Sequence, residues 1–298
     1  MNNGLEHHGL VVPMVTPVTN GGKLDEPAVE RLVDFLLAGG VDGIFVLGTT
    51  GEGVSVPQSF RRRLVECTVD RVNHRAKVYA GLGDLKNVAV ANDYFHAGAD
   101  AVVARPPVSY PLDELLPSFQ SLLGGLEGPL ILYNIPATTN VSIPLDVVGR
   151  LVGHPRLAGI KDSENNSERL EQLLGRFGDH PEFSVFVGVG MLMARGLKLG
   201  AKGIVPSVGN LIPGVCQRLC QAAQRGDWME TERQAERMKA IAAIYQDGHT
   251  LGQSLARLKA ALYCLGICST DVLPPLVAAS RLEVTDVRNR MSELGLLI

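Results

Sequence analysis

Leu130-Ile131-Leu132-Tyr133 and Leu157-Ala158-Gly159-Ile160-Lys161 are the two stretches that decide the fold of this chain. Each is a short apolar run of strand length, and an amphipathic stretch at 145–152 lies between them. Strands joined through a helix pair in parallel, because a parallel pair needs a long crossover. The same unit recurs outward in both directions. Apolar runs at 10–15, 43–47, 77–81, 101–104, 184–187 and 203–205 bring the candidate strands to eight. Helical segments follow at 27–37, 60–72, 88–96, 112–123, 169–177 and 191–199, and Ser55-Val56-Pro57-Gln58 reads as a capping box ahead of the second helix. Eight even units over about 210 residues predict an α/β fold of the closed (β/α)8 TIM barrel kind, with an open doubly wound sheet as the alternative.

From Gln224 onward the strand signal stops. Amphipathic helices are expected at 228–245, 251–265 and 284–294, with Pro274-Pro275 breaking the path before the last. The expected organisation is therefore a barrel catalytic domain at 1–223 and a C-terminal helical domain at 224–298. Such an appendix covers a barrel face or builds an oligomer interface.

Composition narrows the function. In 298 residues, hydrophobic content is 46%, charged content 20% and net charge -3, which suits a soluble core and gives no basic footprint for nucleic acid. No apolar run is long enough to span a bilayer. The opening stretch, Met1 to Gly9, has no charged start before an apolar segment, so it does not read as a secretory signal and a cytoplasmic location is expected. The cysteines (Cys67, Cys216, Cys220, Cys264 and Cys268) are odd in number and sparse, which fits a reducing compartment. Their two C-x3-C spacings fall in helical segments, where i and i+4 share a face; they read as small buried hydrophobes rather than zinc ligands.

Barrel enzymes carry their chemistry at the C-terminal ends of the strands. Three segments qualify. Lys161 closes an apolar strand, where burial disfavours the charged amine and a neutral amine can form a Schiff base with a ketone. Gly159, two residues back on the same face, is expected to leave space beneath it. Tyr133 closes the preceding strand, about 4.8 Å away, and offers a phenol for proton relay. Gly48-Thr49-Thr50-Gly51-Glu52-Gly53 follows the second strand as a glycine-rich nest of N–H and hydroxyl donors suited to an anion. An anion nest, a phenol and an amine on one rim can bind a 2-oxo acid, form an imine and shuttle protons.

These segments, Gly48-Thr49-Thr50-Gly51-Glu52, Tyr133-Asn134-Ile135-Pro136 and Gly159-Ile160-Lys161-Asp162-Ser163, resemble the signatures of the dihydrodipicolinate synthase / N-acetylneuraminate lyase family in order and spacing. The resemblance runs from Val15-Thr16-Pro17 to Pro274-Pro275-Leu276. It implies a (β/α)8 barrel with a helical C-terminal domain, a homotetramer or homodimer, and lyase chemistry of the class I aldolase type on pyruvate and an aldehyde, with no cofactor and no metal. It further implies that Lys161 forms the Schiff base, Tyr133 shuttles protons, Thr49 and Thr50 bind the pyruvate carboxylate, and Ser207 contacts substrate.

Departures from the pattern matter too. Where synthases of the family place a carboxylate-binding arginine, this chain has Thr138. Where they place a relay tyrosine lent across a dimer, Pro106-Pro107-Val108-Ser109-Tyr110 leaves only Tyr110 as a displaced substitute. Sialic acid lyases carry two acidic residues after the seventh strand, and here the segment is Val187-Gly188-Val189-Gly190-Met191. The resulting expectation is an aldolase of 2-keto-3-deoxy sugar acids or hydroxy-oxo acids. Dihydrodipicolinate synthase proper, with aspartate semialdehyde as the aldehyde, and a non-catalytic 2-oxo-acid binding protein are the alternatives.

Overall fold

A computed structural model describes residues 7–19, 21–83 and 85–297. The reading of the N-terminus as lacking a secretory signal falls mostly on residues 1–6, outside the described part. The strands are β1 (Gly9–Pro13), β2 (Gly43–Val46), β3 (Lys77–Leu82), β4 (Ala101–Ala104), β5 (Leu130–Asn134), β6 (Leu157–Asp162), β7 (Ser184–Val187) and β8 (Gly203–Ile204). They pair in parallel in sequence order, and β8 closes on β1, so the barrel rather than the open sheet is the fold. Expected and observed strands agree to within a residue or two. β1 ends earlier than its apolar run because Pro13 has no N–H, and the Val15 amide donates to the Asn210 side chain (3.1 Å) instead of a neighbouring strand.

Side chains alternate across each strand, and the alternation builds two cores. Leu10, Val12, Ile44, Val46, Leu130, Leu132 and Ile160 face outward to the helices. Val11, Phe45, Tyr79, Val103, Ile131, Tyr133 and Phe186 fill the barrel interior. β6 departs from strict alternation. A register shift against β5 pairs Leu157 with Leu130 but Gly159 with Ile131, so Ala158 is the extra residue of a bulge. The bulge lets both Leu157 and Ile160 face outward while Lys161 turns inward beside Tyr133.

Gly159 does not leave a hollow beneath that lysine, contrary to the expectation from its position. A Cβ there would lie 2.2 Å from the Ser184 carbonyl oxygen, so the space is filled by the backbone of β7. The glycine is needed for close approach of two strands.

The helices around the barrel are α1 (Glu26–Ala38), α2 (Gln58–Val72), α3 (Val88–His96), α4 (Leu112–Gly125), α5 (Pro136–Thr139), α6 (Leu145–Leu151), α7 (Ser167–Phe177), α8 (Met193–Lys198) and α9 (Pro213–Gln224). α7 shows why such segments fold as they do. Leu170, Leu173, Leu174 and Phe177 recur at helical spacing on its buried face, and the Asn166 side chain caps its first turn through the Arg169 amide. α2 corrects the capping-box reading. The amides of Ser55 and Val56 donate back to the Glu52 carbonyl (2.7 and 3.1 Å), which commits this segment to a turn, and the helix starts at Gln58 behind Pro57. Arg61 takes over the anchoring by donating to the Val56 and Gly53 carbonyls.

The remainder is helical, as α10 (Trp228–Gln246), α11 (Leu251–Cys264) and α12 (Arg281–Glu293). True capping boxes start the last two, from Thr250 with Gln253 and from Ser280 with Glu283. α11 is buried along most of its length and carries Lys259, 1% exposed, into the barrel rim. Its ammonium lies 2.5 Å from the buried Glu52 carboxylate, an ion pair whose angle lies outside hydrogen-bond alignment at Oε1, and it donates to the Asp271 carbonyl at 2.7 Å. Among the described residues no helix is long and apolar enough to cross a membrane.

Two stability outcomes follow from this packing. Lys259→Ala leaves Glu52 buried without its cation and should cost about 3–5 kcal/mol, while the double variant Glu52→Gln/Lys259→Met should recover much of the loss. Gly159→Ala should cost about 1–3 kcal/mol by forcing β6 from β7. Urea denaturation midpoints check both; an unshifted midpoint would remove the role assigned to that residue.

Candidate active site

The barrel register brings the two strand-end residues together. Tyr133 on β5 pairs directly with Lys161 on β6, and both point into the barrel. The Lys161 ammonium sits 4.1 Å from the centre of the Tyr133 ring and 5.1 Å from that of Phe45, and the residue is only 6% exposed. Aromatic faces attract the cation and orient it in a place where water is scarce. The Tyr133 hydroxyl is 3.4 Å from Thr49 Oγ1. Burial alone would raise the phenol pKa, but the charge of Lys161 and the polar side chains of Thr49, Lys161 and Ser163 outweigh it and hold the phenol below its usual 10.

A second network holds these strand tips from behind. The Asn134 side chain donates to Asp162 Oδ2 (3.0 Å) and Glu164 Oε2 (3.1 Å), and its oxygen accepts from the Ile143 amide (2.9 Å). Arg169, buried on α7, donates to Asp162 Oδ2 at 2.9 Å and lies 3.3 Å from Glu164. Burial pushes the Asp162 carboxyl up, against the opposing pull of Arg169 and its hydrogen bonds. Residues 134 and 162 directly follow Tyr133 and Lys161, so the network fixes where the phenol and amine stand.

The glycine-rich segment after β2 folds as a tight loop. Leu47 and Glu52 adopt left-handed conformations (φ 59° and 55°), and a Cβ at Gly53 would lie 1.9 Å from the Leu47 carbonyl oxygen. The Gly53 amide donates to Gly48, the Glu52 amide to Thr49, and Thr16 Oγ1 to the Gly51 carbonyl. The amides of Thr49 and Thr50 donate to no described partner. The Glu52 carboxylate is engaged by scaffold partners, accepting from the Leu273 amide at 2.6 Å and pairing with Lys259. The sequence offered it only as part of the nest.

Two cavities share Phe45 and Val103 in their walls. A cavity of about 340 Å³ is lined by Thr49, Arg105, Tyr133 and Thr138 together with apolar residues such as Val54 and Leu276. Lys161 lines a hollow of about 20 Å³ deeper in the barrel. Thr50 is half-buried and outside both linings, and Ser207 is also apart. Its hydroxyl lies 2.7 Å from the Tyr245 hydroxyl on α10, accepts from Gln246 at 3.2 Å, and lines a separate cavity of about 280 Å³ with Val189 and Met191. Tyr110 does not replace a relay tyrosine within this chain. Its hydroxyl is 2.7 Å from Ser118 on α4, away from the cavity.

Arg105 is a residue that the sequence pattern does not single out. It directly follows β4, the same strand-end criterion that singled out Lys161, and it faces the main cavity. Cys216 and Cys220 are buried on α9, consistent with small hydrophobes, and among the described residues no three His, Cys, Asp or Glu side chains gather as a metal site.

Comparison with known proteins fits this geometry. A profile of the Dihydrodipicolinate synthetase family matches residues 6–294. A 4-hydroxy-tetrahydrodipicolinate synthase of Syntrophus aciditrophicus is 31% identical over 294 residues, 97% of this chain and 99% of its own. The dihydrodipicolinate synthase of Bacteroides thetaiotaomicron superposes with a TM-score of 0.91 at 34% identity, over 96% of this chain and 98% of its own. YagE from E. coli K12, a prophage protein of the dihydrodipicolinic acid synthase family solved in complex with pyruvate, gives 0.90 at 27% identity, over 97% and 99%. Two of these names carry the synthase weighed above as an alternative, and none of the three names a sugar-acid aldolase. The chain belongs to the dihydrodipicolinate synthetase family, as a lyase of that family.

Proposed function

We propose that this enzyme joins pyruvate to an aldehyde, or cleaves the product, through a Schiff base on Lys161, and that aspartate semialdehyde is the aldehyde that fits best. The observation that carries the reading is the Lys161 ammonium 4.1 Å over the Tyr133 ring, the two residues being register partners at the mouth of a closed barrel. The names of the synthase relatives and the bound pyruvate in YagE support the substrate class.

In this reading the free amides of Thr49 and Thr50 take the pyruvate carboxylate. The Lys161 nitrogen, neutral when it attacks, adds to the ketone carbon and the carbonyl oxygen leaves as water. Loss of a C3 proton gives an enamine, whose carbon bonds to the aldehyde carbon while the aldehyde oxygen gains a proton. Water then adds to the iminium carbon and frees Lys161. Tyr133 is the group placed for these transfers: its phenol is more acidic than usual while the Lys161 nitrogen is charged, as ammonium or as iminium, and Thr49 gives it a relay partner. Ser207 lines a different cavity from Tyr133, and in this reading any contact it makes with substrate is from there.

Borohydride with pyruvate should add to the wild type the mass of one pyruvate less one oxygen, and Lys161→Ala should add nothing. Tyr133→Phe should still trap pyruvate but lose turnover by about 10²-fold or more. Among aspartate semialdehyde, glyceraldehyde, glyoxylate and N-acetylmannosamine, the first should give the highest kcat/KM. Turnover that survives Lys161→Ala would end the Schiff-base reading, and a preference for N-acetylmannosamine or glyceraldehyde would return the enzyme to the sugar-acid branch.

A further inference from the structure

We propose that Arg105 selects the aldehyde half of the substrate, and that this aldehyde carries an anionic group, first of all a carboxylate. The inference rests on the pyruvate-aldolase reading above and adds the residue that sets its specificity.

The charge inventory of the main cavity carries the argument. Among the described residues that line it, the charged ones are Glu52 and Arg105. Glu52 is neutralised by Lys259 and faces away. Arg105 makes no hydrogen bond or ion pair among the described residues, although it is half-buried beside Tyr133 and Thr138. A guanidinium withdrawn from water with no counter-charge is costly, and an anionic ligand removes that cost by a bidentate pair. Burial in fact lowers the Arg105 pKa, and its electrostatic coupling to Tyr133 places it in the same local field as the reacting groups.

The mounting is firm. Pro106 and Pro107 follow it directly. The Ser109 amide, in a left-handed turn, donates to the Thr139 carbonyl of α5 at 2.6 Å, and Tyr110 is tied to Ser118. The loop after β4 is thus fastened to α5, the element that carries Thr138, whose own hydroxyl folds back on the Ile135 carbonyl at 3.4 Å. A guanidinium therefore reaches the cavity from β4, although the position after β5 lacks one. In the reading above the pyruvate carboxylate goes to the amides of the loop after β2, of which Thr49 lines the cavity, and this leaves Arg105 for the second substrate.

The test measures kcat/KM for aspartate semialdehyde, glyceraldehyde 3-phosphate and neutral glyceraldehyde, each with pyruvate, in wild type, Arg105→Leu and Arg105→Lys, beside borohydride trapping of pyruvate alone. Arg105→Leu should lower the ratio of anionic to neutral aldehyde use by about 10- to 100-fold. Arg105→Lys should keep part of that ratio, and both variants should still trap pyruvate. Whichever anionic aldehyde loses more on substitution identifies the group as carboxylate or phosphate. Equal losses for charged and neutral aldehydes, loss of pyruvate trapping in the variants, or a wild-type preference for glyceraldehyde would each overturn the assignment. A wild type that fails to trap pyruvate would overturn the aldolase reading and this inference with it.

Discussion

The buried pair of Glu52 and Lys259 is the constraint on which the site depends. Glu52 sits at a left-handed position in the loop that follows β2, with its carboxylate sealed between the Lys259 ammonium and the Leu273 amide. Lys259 in turn holds the Asp271 carbonyl, and the neighbouring Ser269 hydroxyl donates to the Val18 carbonyl of the barrel. Burying two charges costs several kcal/mol each before their attraction is counted, so an apolar pair of equal volume would serve stability as well. What an apolar pair would not do is fix a loop direction. With the carboxylate clamped outward, the same loop has to present Thr49 inward to Tyr133.

A similar division holds on the far side of the site. Arg169 answers two carboxylates, Asp162 and Glu164, and Asn134 bridges them to the backbone of β5's neighbourhood through Ile143. Polar groups buried this deep are tolerated where they find partners; Arg169 finds its own through Nε, while its buried Nη2 has no hydrogen bond among the described residues, and the bonded network stiffens what it touches. Here it touches the residues next in sequence to Tyr133 and Lys161. Lys161 and Tyr133 themselves are left with aromatic faces and few polar partners, so in the proposed reaction the scaffold that positions them does not quench them.

The legible part of this molecule is the part written in short-range pattern. Eight apolar runs separated by amphipathic stretches predict the barrel, and strand adjacency alone predicts that Tyr133 meets Lys161, because the period-2 side-chain rule and the parallel order leave few other arrangements. What the pattern cannot carry is set by neighbours distant in sequence. The bulge at Ala158 and the crowding of Gly159 come from β5 and β7. Ser55 fails as a cap because Glu52 has already claimed its amide. Ser207 resembles a substrate residue by position, but α10 supplies Tyr245 to its hydroxyl. Arg105 sits between an apolar run and a proline pair, a pattern that does not mark it, and only the closed barrel shows that a charge at that strand end lines the cavity.

That guanidinium changes how the substitution at Thr138 is weighed. A threonine in place of an arginine removes a bidentate donor that a hydroxyl cannot imitate, and by itself it argues against a second acidic substrate. Charge, however, belongs to a cavity rather than to a sequence position. With Glu52 neutralised, the described residues of the lining hold one cation with no described partner, in the same cavity wall as Tyr133, and residues such as Val54, Val103, Leu255 and Leu276 supply much of the remaining wall. A polyhydroxylated sugar chain would give up its hydrogen bonds to water and find few replacements on such a wall. A short aldehyde ending in a carboxylate would lose little, since its apolar carbons match the wall and its charge meets the arginine. The physical balance of the cavity thus favours the acidic, compact aldehyde proposed above, with the arginine proposed to receive it on the end of β4 rather than after β5.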